Sequence, residues 1–87
     1  MAAGQGIDAA QFNLGIYLLF GKGAPKDERE ANKWFLKAAE QGNADAQYNL
    51  GVSFSRGLGV PKDDRKAVNW YLKAAEQGDV KAQNNIG

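Results

Sequence analysis

The chain repeats itself at an interval of 36 residues, and this restricts the folds open to it more than any other feature of the sequence. The run from Leu36 to Gly42 recurs unchanged as Leu72 to Gly78. Further identities between residues 7–42 and 43–78 include Ala10/Ala46, Gln11/Gln47, Asn13/Asn49, Leu14/Leu50, Gly15/Gly51, Pro25/Pro61, Asp27/Asp63, Ala31/Ala67 and Trp34/Trp70. Tandem units of this length are typical of solenoids, in which each unit buries its apolar face against its neighbours.

Both ends of the chain keep the same register. Gln5 corresponds to Gln41 near the end of a unit, and Gln83 corresponds to Gln47 near the start of one. We therefore expect a single domain: 1–6 is the end of a preceding repeat, 7–42 is repeat one, 43–78 is repeat two and 79–87 is the start of a third. Ends that fall out of phase with the repeat indicate an excised fragment, a truncated gene product or an engineered chain.

The second half of each unit has the pattern of an amphipathic helix, predicted over 27–41 and 63–77. Its apolar residues recur at helical spacing, and the same placement in both units indicates repeat core rather than an aromatic ligand site. The stripe consists of Ala31, Trp34, Phe35, Ala38 and Ala39, repeated as Ala67, Trp70, Tyr71, Ala74 and Ala75. Asp27 and Asp63 are expected to cap the helix starts, with Glu30 at capping-box spacing from Asp27, and Gly42 and Gly78 to end the helices.

The first half of each unit predicts a second helix, over 8–20 and 44–56. Its apolar row, expected to face the partner helix, is Ala10, Leu14 and Leu18 in unit one and Ala46, Leu50 and Phe54 in unit two. Gly15 and Gly51 interrupt the helices, which is tolerable where two helices approach closely, and the predicted neighbours are Trp34 and Trp70. The glycines and proline at 21–25 and 57–61 predict turns, so each unit is a helical hairpin.

These motifs resemble the Sel-1-like repeat, a relative of the tetratricopeptide repeat. The motifs are A-D-A-Q-Y-N-L-G, G-L-G-V-P-K-D and K-A-V-N-W-Y-L-K-A-A-E-Q-G, read between Ala44 and Gly78. The resemblance covers the whole chain and implies an all-α, right-handed superhelix of antiparallel helix pairs, with a concave surface that binds proteins or peptides. One branch of the family carries paired cysteines; this chain has no Cys and does not belong with that branch.

The composition argues against several classes of function. Without Cys or His, the chain lacks the usual nucleophile–base pairs and the usual metal ligands, so we expect no enzyme, no metal and no cofactor. Eleven basic and ten acidic residues alternate along the chain with a net charge of +1, a pattern that does not favour nucleic acid. The longest nearly apolar run, Ile16–Phe20, is too short to span a membrane. The first residues have no secretion signal, and the localisation is left undetermined.

The positions at which the two units differ are candidates for function, because the architecture does not require them. Tyr17, Leu19 and Phe20 in unit one correspond to Ser53, Ser55 and Arg56 in unit two. Since the resemblance places the first helix of each pair along the concave groove, we predict a partner-binding stripe made of Asn13, Tyr17, Phe20, Asn49, Ser53, Arg56 and Asn85. Alternatively, Tyr17, Leu19 and Phe20 pack against a preceding repeat.

Two functions follow from this interpretation. The first is a protein-binding adaptor, in which the asparagine amides hydrogen-bond an extended peptide and Tyr17, Phe20 and Arg56 supply selectivity. The second is a structural unit that assembles head to tail with other copies, since two units leave apolar faces at both ends.

Overall fold

The computed structural model describes residues 4–21 and 27–78, and the helices within this part of the chain form two antiparallel hairpins. Helices α1 (Gly4–Phe20) and α2 (Glu28–Glu40) make up unit one, and helices α3 (Ala44–Arg56) and α4 (Asp64–Glu76) make up unit two. Each helix packs against the next one in the chain, and α2 against α3 joins the two units. The described residues contain no strand, so the predicted helical class and the 36-residue period are confirmed.

The caps form as the sequence predicts, with one difference. The side chains of Asp27 and Asp63 accept hydrogen bonds from the backbone N–H groups of Glu30 and Lys66, at 3.0 and 3.1 Å. The backbone N–H of Asp27, which a capping box would pair with Glu30, donates instead to the carbonyl of Leu18 at 2.8 Å. Since the N–H of Asp63 donates in the same way to Phe54, this bond closes each hairpin at the turn.

The start of α3 has a cap that the sequence reasoning did not single out. The Asn43 side-chain oxygen accepts from the Ala46 N–H at 2.8 Å, and its amide nitrogen donates to Asp8 at 2.9 Å. One residue therefore begins the second unit and ties it to the first helix of unit one.

The core follows the predicted stripe of the second helices, but the two glycines face different rings from those expected. A Cβ on Gly15 would lie 2.7 Å from the Phe35 ring, and one on Gly51 would lie 2.5 Å from the Tyr71 ring. The predicted neighbours, Trp34 and Trp70, are half-buried at a position one residue earlier on the helix. Because the rings of Phe35 and Tyr71 lie directly over the glycines, a methyl group at either site has no room.

The apolar row of α3 faces the preceding unit rather than its own partner alone. Ala46 and Leu50 form one buried cluster with Ala31, Phe35, Ala38 and Ala39 of α2, and only Phe54 packs onto the cluster around Tyr71. The prediction that the whole row faces the partner helix was therefore wrong. Two of its three residues instead pack against the preceding unit, as a solenoid requires.

Candidate functional site

A cleft of about 390 Å³ opens on the side of the molecule formed by the first helices, and we call it the first-helix cleft. Residues of α1 and α3 make up most of its walls, and the start of α2 and the turn after α3 complete it. The lining residues are Leu19, Phe20, Glu28, Tyr48, Asn49, Val52, Arg56 and Leu58. The cleft therefore spans the junction between the two units, where a ligand would touch both.

The cleft combines an apolar floor with a polar rim. Leu19, Val52 and Leu58 are half-buried, whereas Phe20 is 64% exposed and Arg56 is exposed at the helix end. Glu28 and Arg56 bring opposite charges to the lining. An apolar surface bordered by groups that bind both charges and backbone amides suits a peptide better than a single small polar molecule.

Asn49 contributes an acceptor to this rim. Its amide nitrogen donates to the Asp45 carbonyl one turn earlier, at 2.9 Å. Within the described residues its side-chain oxygen has no hydrogen-bond donor, so it remains available to a ligand.

The structure brings together some of the residues predicted to bind a partner and separates others. Phe20, Asn49 and Arg56 line one cleft, and Asn13 is exposed on α1 two turns before Phe20. Asn85 lies outside the described residues.

Ser53 was predicted to be part of the exposed partner-binding stripe, but its side chain is buried. Only 2% of its surface is accessible, and its hydroxyl donates to the Asn32 side-chain oxygen at 2.6 Å. The Asn32 amide nitrogen donates in turn to the Leu58 carbonyl at 2.6 Å. Ser53 therefore joins the two units and offers no surface to a partner.

The position of Ser53 also explains Tyr17, its counterpart in unit one. Because Ser53 meets the second helix of the preceding unit, Tyr17 lies where such a helix would pack, and it is 56% exposed. Tyr17 does not line the first-helix cleft, whereas Phe20 does.

The sequence reasoning missed four lining residues: Glu28, Tyr48, Val52 and Leu58. Tyr48 and Val52 correspond to Phe12 and Ile16 in unit one, which are residues of similar type. Comparison of the two units therefore did not identify Tyr48 and Val52 as candidates. Leu58 does differ from its counterpart, Lys22, and that difference could have drawn attention to the turn.

The described residues include no cluster of acidic side chains that could hold a metal ion.

Burial raises the pKa of the Tyr71 hydroxyl above 10.0, and the nearby Tyr48 raises it further. A hydrogen bond from Ser55 and the positive charge of Arg56 lower the pKa and so oppose this effect. Tyr71 in the folded chain therefore holds its proton more firmly than a solvent-exposed tyrosine does. Among the described helices, none is long and apolar enough to cross a membrane.

Comparison with known proteins agrees with the repeat structure. The family model for the Sel1 repeat matches twice, at residues 8–43 and 44–79. These boundaries differ by one residue from those predicted from the sequence. A search of curated proteins finds no significant match.

Solved structures provide three similar proteins. A Sel1 repeat protein from Oxalobacter formigenes is 49% identical with a TM-score of 0.89, over 90% of this chain and 32% of that one. A protective antigen of uropathogenic Escherichia coli with an SLR fold is 46% identical with a TM-score of 0.87, and the match covers 95% of this chain and 18% of that protein. Cysteine-rich protein B of Helicobacter pylori is 30% identical with a TM-score of 0.85, and the match covers 88% of this chain and 58% of that protein.

The chain thus spans about a third or less of the first two of these proteins and somewhat over half of the third. Sel1-repeat proteins are in general non-catalytic scaffolds for protein interactions. With two matched repeats over most of its length and a helical arrangement shared with solved members, the chain belongs to the Sel1 repeat family.

Proposed function

We propose that this chain is a non-catalytic scaffold that binds a protein segment in the first-helix cleft. The observation that carries the proposal is the meeting of Phe20, Asn49 and Arg56 in one cleft at the junction between units. Two of these three positions, Phe20 and Arg56, are related by the repeat yet differ in residue type, so packing of the units does not dictate them.

The chemistry of the cleft favours an extended segment. Asn13 and Asn49 stand at the same position of successive first helices, which suits two hydrogen bonds to one peptide backbone. Phe20 offers an exposed ring for an apolar side chain, and Arg56 pairs with a carboxylate of the ligand. Ser53 is buried and has no part in binding, and Tyr17 lies outside the cleft.

The experiment is a selection of displayed random peptides on the purified chain, followed by affinity measurements with variants. Phe20→Ala and Arg56→Ala are each expected to weaken binding about five- to thirtyfold, the range of an interface residue that contributes 1 to 2 kcal/mol. Val68→Ala and Arg65→Ala change an exposed apolar residue and an exposed arginine away from the cleft, and they serve as matched controls. Equal effects of both pairs would refute the proposal.

A second candidate function, head-to-tail assembly of copies, is favoured by a different surface. Ala10, Leu14 and Tyr17 form what we call the end face, and they are exposed. Their counterparts in unit two, Ala46, Leu50 and Ser53, are 0%, 2% and 2% exposed because unit one covers them. The end face thus corresponds to the surface that α3 buries against α2. In a head-to-tail assembly, α4 of another copy would pack against the end face as α2 packs against α3.

A further inference from the structure

A second and larger cleft, of about 590 Å³, lies on the other side of the molecule, between α2 and α4. We call it the second-helix cleft. Leu50 and Phe54 of α3 form its floor, Leu36 and Trp70 contribute from the two walls, and Val60 of the turn after α3 adds to the apolar lining. None of its lining residues lines the first-helix cleft, so the two surfaces are separate.

The charges around this cleft have one sign. Arg29 and Lys33 come from α2, and Lys66 and Lys73 come from α4, while no carboxylate among residues 4–21 and 27–78 lines the cleft. The chain as a whole carries a net charge of only +1, so these four cations form a local concentration of positive charge. Such a concentration attracts an acidic partner.

The lysines of α4 extend over the aromatic part of the cleft. Lys66 Nζ lies 5.4 Å from the centre of the Phe54 ring, and Lys73 Nζ lies 5.9 Å from that of Trp70. In the described part of the chain, none of the four cations forms an ion pair with a carboxylate. No described carboxylate therefore pairs with these charges, and they lie next to apolar surface.

We propose that the second-helix cleft binds an acidic protein segment that carries a large apolar side chain between carboxylates. The apolar floor and Trp70 take the apolar side chain, and Arg29, Lys33, Lys66 and Lys73 pair with the carboxylates. A polyphosphate or nucleic acid would use the cations but leave the floor without a partner. The cleft exists only where two successive units meet, since α2 and α4 supply opposite walls. This binding surface is independent of the one in the first-helix cleft.

The probe for this proposal is the synthetic peptide Asp-Glu-Leu-Phe-Asp-Glu, with tryptophan fluorescence as the readout. Trp34 and Trp70 are the two tryptophans of the chain, and only Trp70 lines the cleft. In the Trp34→Phe variant, the peptide is expected to change the emission of Trp70 in a saturable way that weakens with added salt. In the Trp70→Phe variant, the remaining emission is expected to stay constant.

Repeat symmetry supplies a matched charge control. Arg29 and Lys73 line the cleft, whereas Arg65 and Lys37 are their counterparts in the other unit and do not. Lys37 also lies over a tryptophan, at 4.8 Å from the centre of the Trp34 ring. The double change Arg29→Gln/Lys73→Gln is expected to weaken the peptide about three- to tenfold, and Arg65→Gln/Lys37→Gln to leave it unchanged, although both remove two charges.

Four results would overturn the proposal. The first is no saturable response of Trp70, and the second is equal loss of binding in the two double variants. The third is tighter competition by single-stranded DNA than by the peptide, which would mean that the cleft binds polyanions. Replacing the Leu-Phe pair of the probe by Ala-Ala is expected to abolish the response, and persistence of the response would equally contradict the role of the apolar floor.

Discussion

Ser53 and Asn32 form a hydrogen bond of 2.6 Å across the junction between the two repeat units, and both side chains are buried. The second bond of Asn32, to the Leu58 carbonyl, ties the turn after α3 to α2. Gly59, in the same turn, has a positive φ of 75°, and a Cβ there would lie 2.6 Å from the backbone of Glu28. Asn32 and the turn together hold unit two in register with unit one.

Replacing Asn32 by Ala is expected to destabilise the chain by about 1–3 kcal/mol, because the Ser53 hydroxyl and the Leu58 carbonyl lose their partner. Urea unfolding followed by circular dichroism measures the change. Asn69→Ala removes an exposed asparagine from α4 and is expected to change stability by less than about 0.5 kcal/mol. An equally small effect of Asn32→Ala would show that the junction does not depend on this side chain.

Gly51→Ala is expected to destabilise the chain although alanine favours helix by about 1 kcal/mol over glycine. The new methyl group would approach the Tyr71 ring to within 2.5 Å, and overpacking of a core costs about 1–3 kcal/mol. In the Tyr71→Leu background the same substitution is expected to cost less, because the ring is gone. A double-mutant cycle of unfolding free energies measures this coupling, and a stabilising Gly51→Ala would contradict the close approach.

The raised pKa of Tyr71 predicts a loss of stability at alkaline pH. In the unfolded chain a tyrosine loses its proton near pH 10, whereas burial holds the proton more firmly in the folded chain. The stabilisation from the protonated hydroxyl is therefore complete below pH about 10 and is lost as the pH rises through the folded-state value. Denaturant titrations between pH 8 and about 12 should show this step in the wild type and a smaller one in Tyr71→Phe. The step should persist in Tyr17→Phe, which changes an exposed ring.

Self-association through the end face is expected to depend on Leu14. Light scattering across a dilution series should show a mass that rises with concentration, and Leu14→Glu should abolish the rise, since a charge would be buried without a partner. Leu36→Glu changes a leucine of similar exposure, 40% against 38%, on another face and is the control. A monomer at every concentration would remove head-to-tail assembly as a function of the isolated chain.

Much of the fold could be predicted from sequence because the repeat displays each structural position twice. Helix bounds were predicted to within one residue for α2, α3 and α4, since Asp27, Asp63 and the glycines after the helices are local signals. The start of α1 was placed later than Gly4, because the sequence before Gly4, Met-Ala-Ala, contains no typical N-cap residue. Local signals of this kind do not depend on the three-dimensional context.

Contacts between helices were harder to predict. The periodicity of the sequence shows which side of a helix is apolar, but not which of two adjacent apolar residues contacts a given neighbour. Trp34 and Phe35 belong to the same apolar stripe, yet only Phe35 lies against Gly15. The same limit explains Ser53, which the helical pattern placed beside Asn49 and Arg56 but which the packing of α2 buries. Comparison of units showed which residues differ but not what each one contacts.

The second-helix cleft was not predicted at all, because its residues are unremarkable when read along the chain. Each lysine there lies within three residues of a carboxylate in sequence, and only the placement of α2 and α4 on either side of α3 brings the cations together. The cluster of cations forms only where the two units meet, so the sequence of either unit alone does not predict it.

The most direct measurement of the central claim is a nitrogen-15 chemical-shift map of the labelled chain with a peptide selected for binding to it. The account predicts that the signals of Phe20, Asn49, Val52 and Arg56 move as the peptide is added, in proportion to one another. Shifts confined to residues outside the first-helix cleft, with these four unchanged, would contradict it.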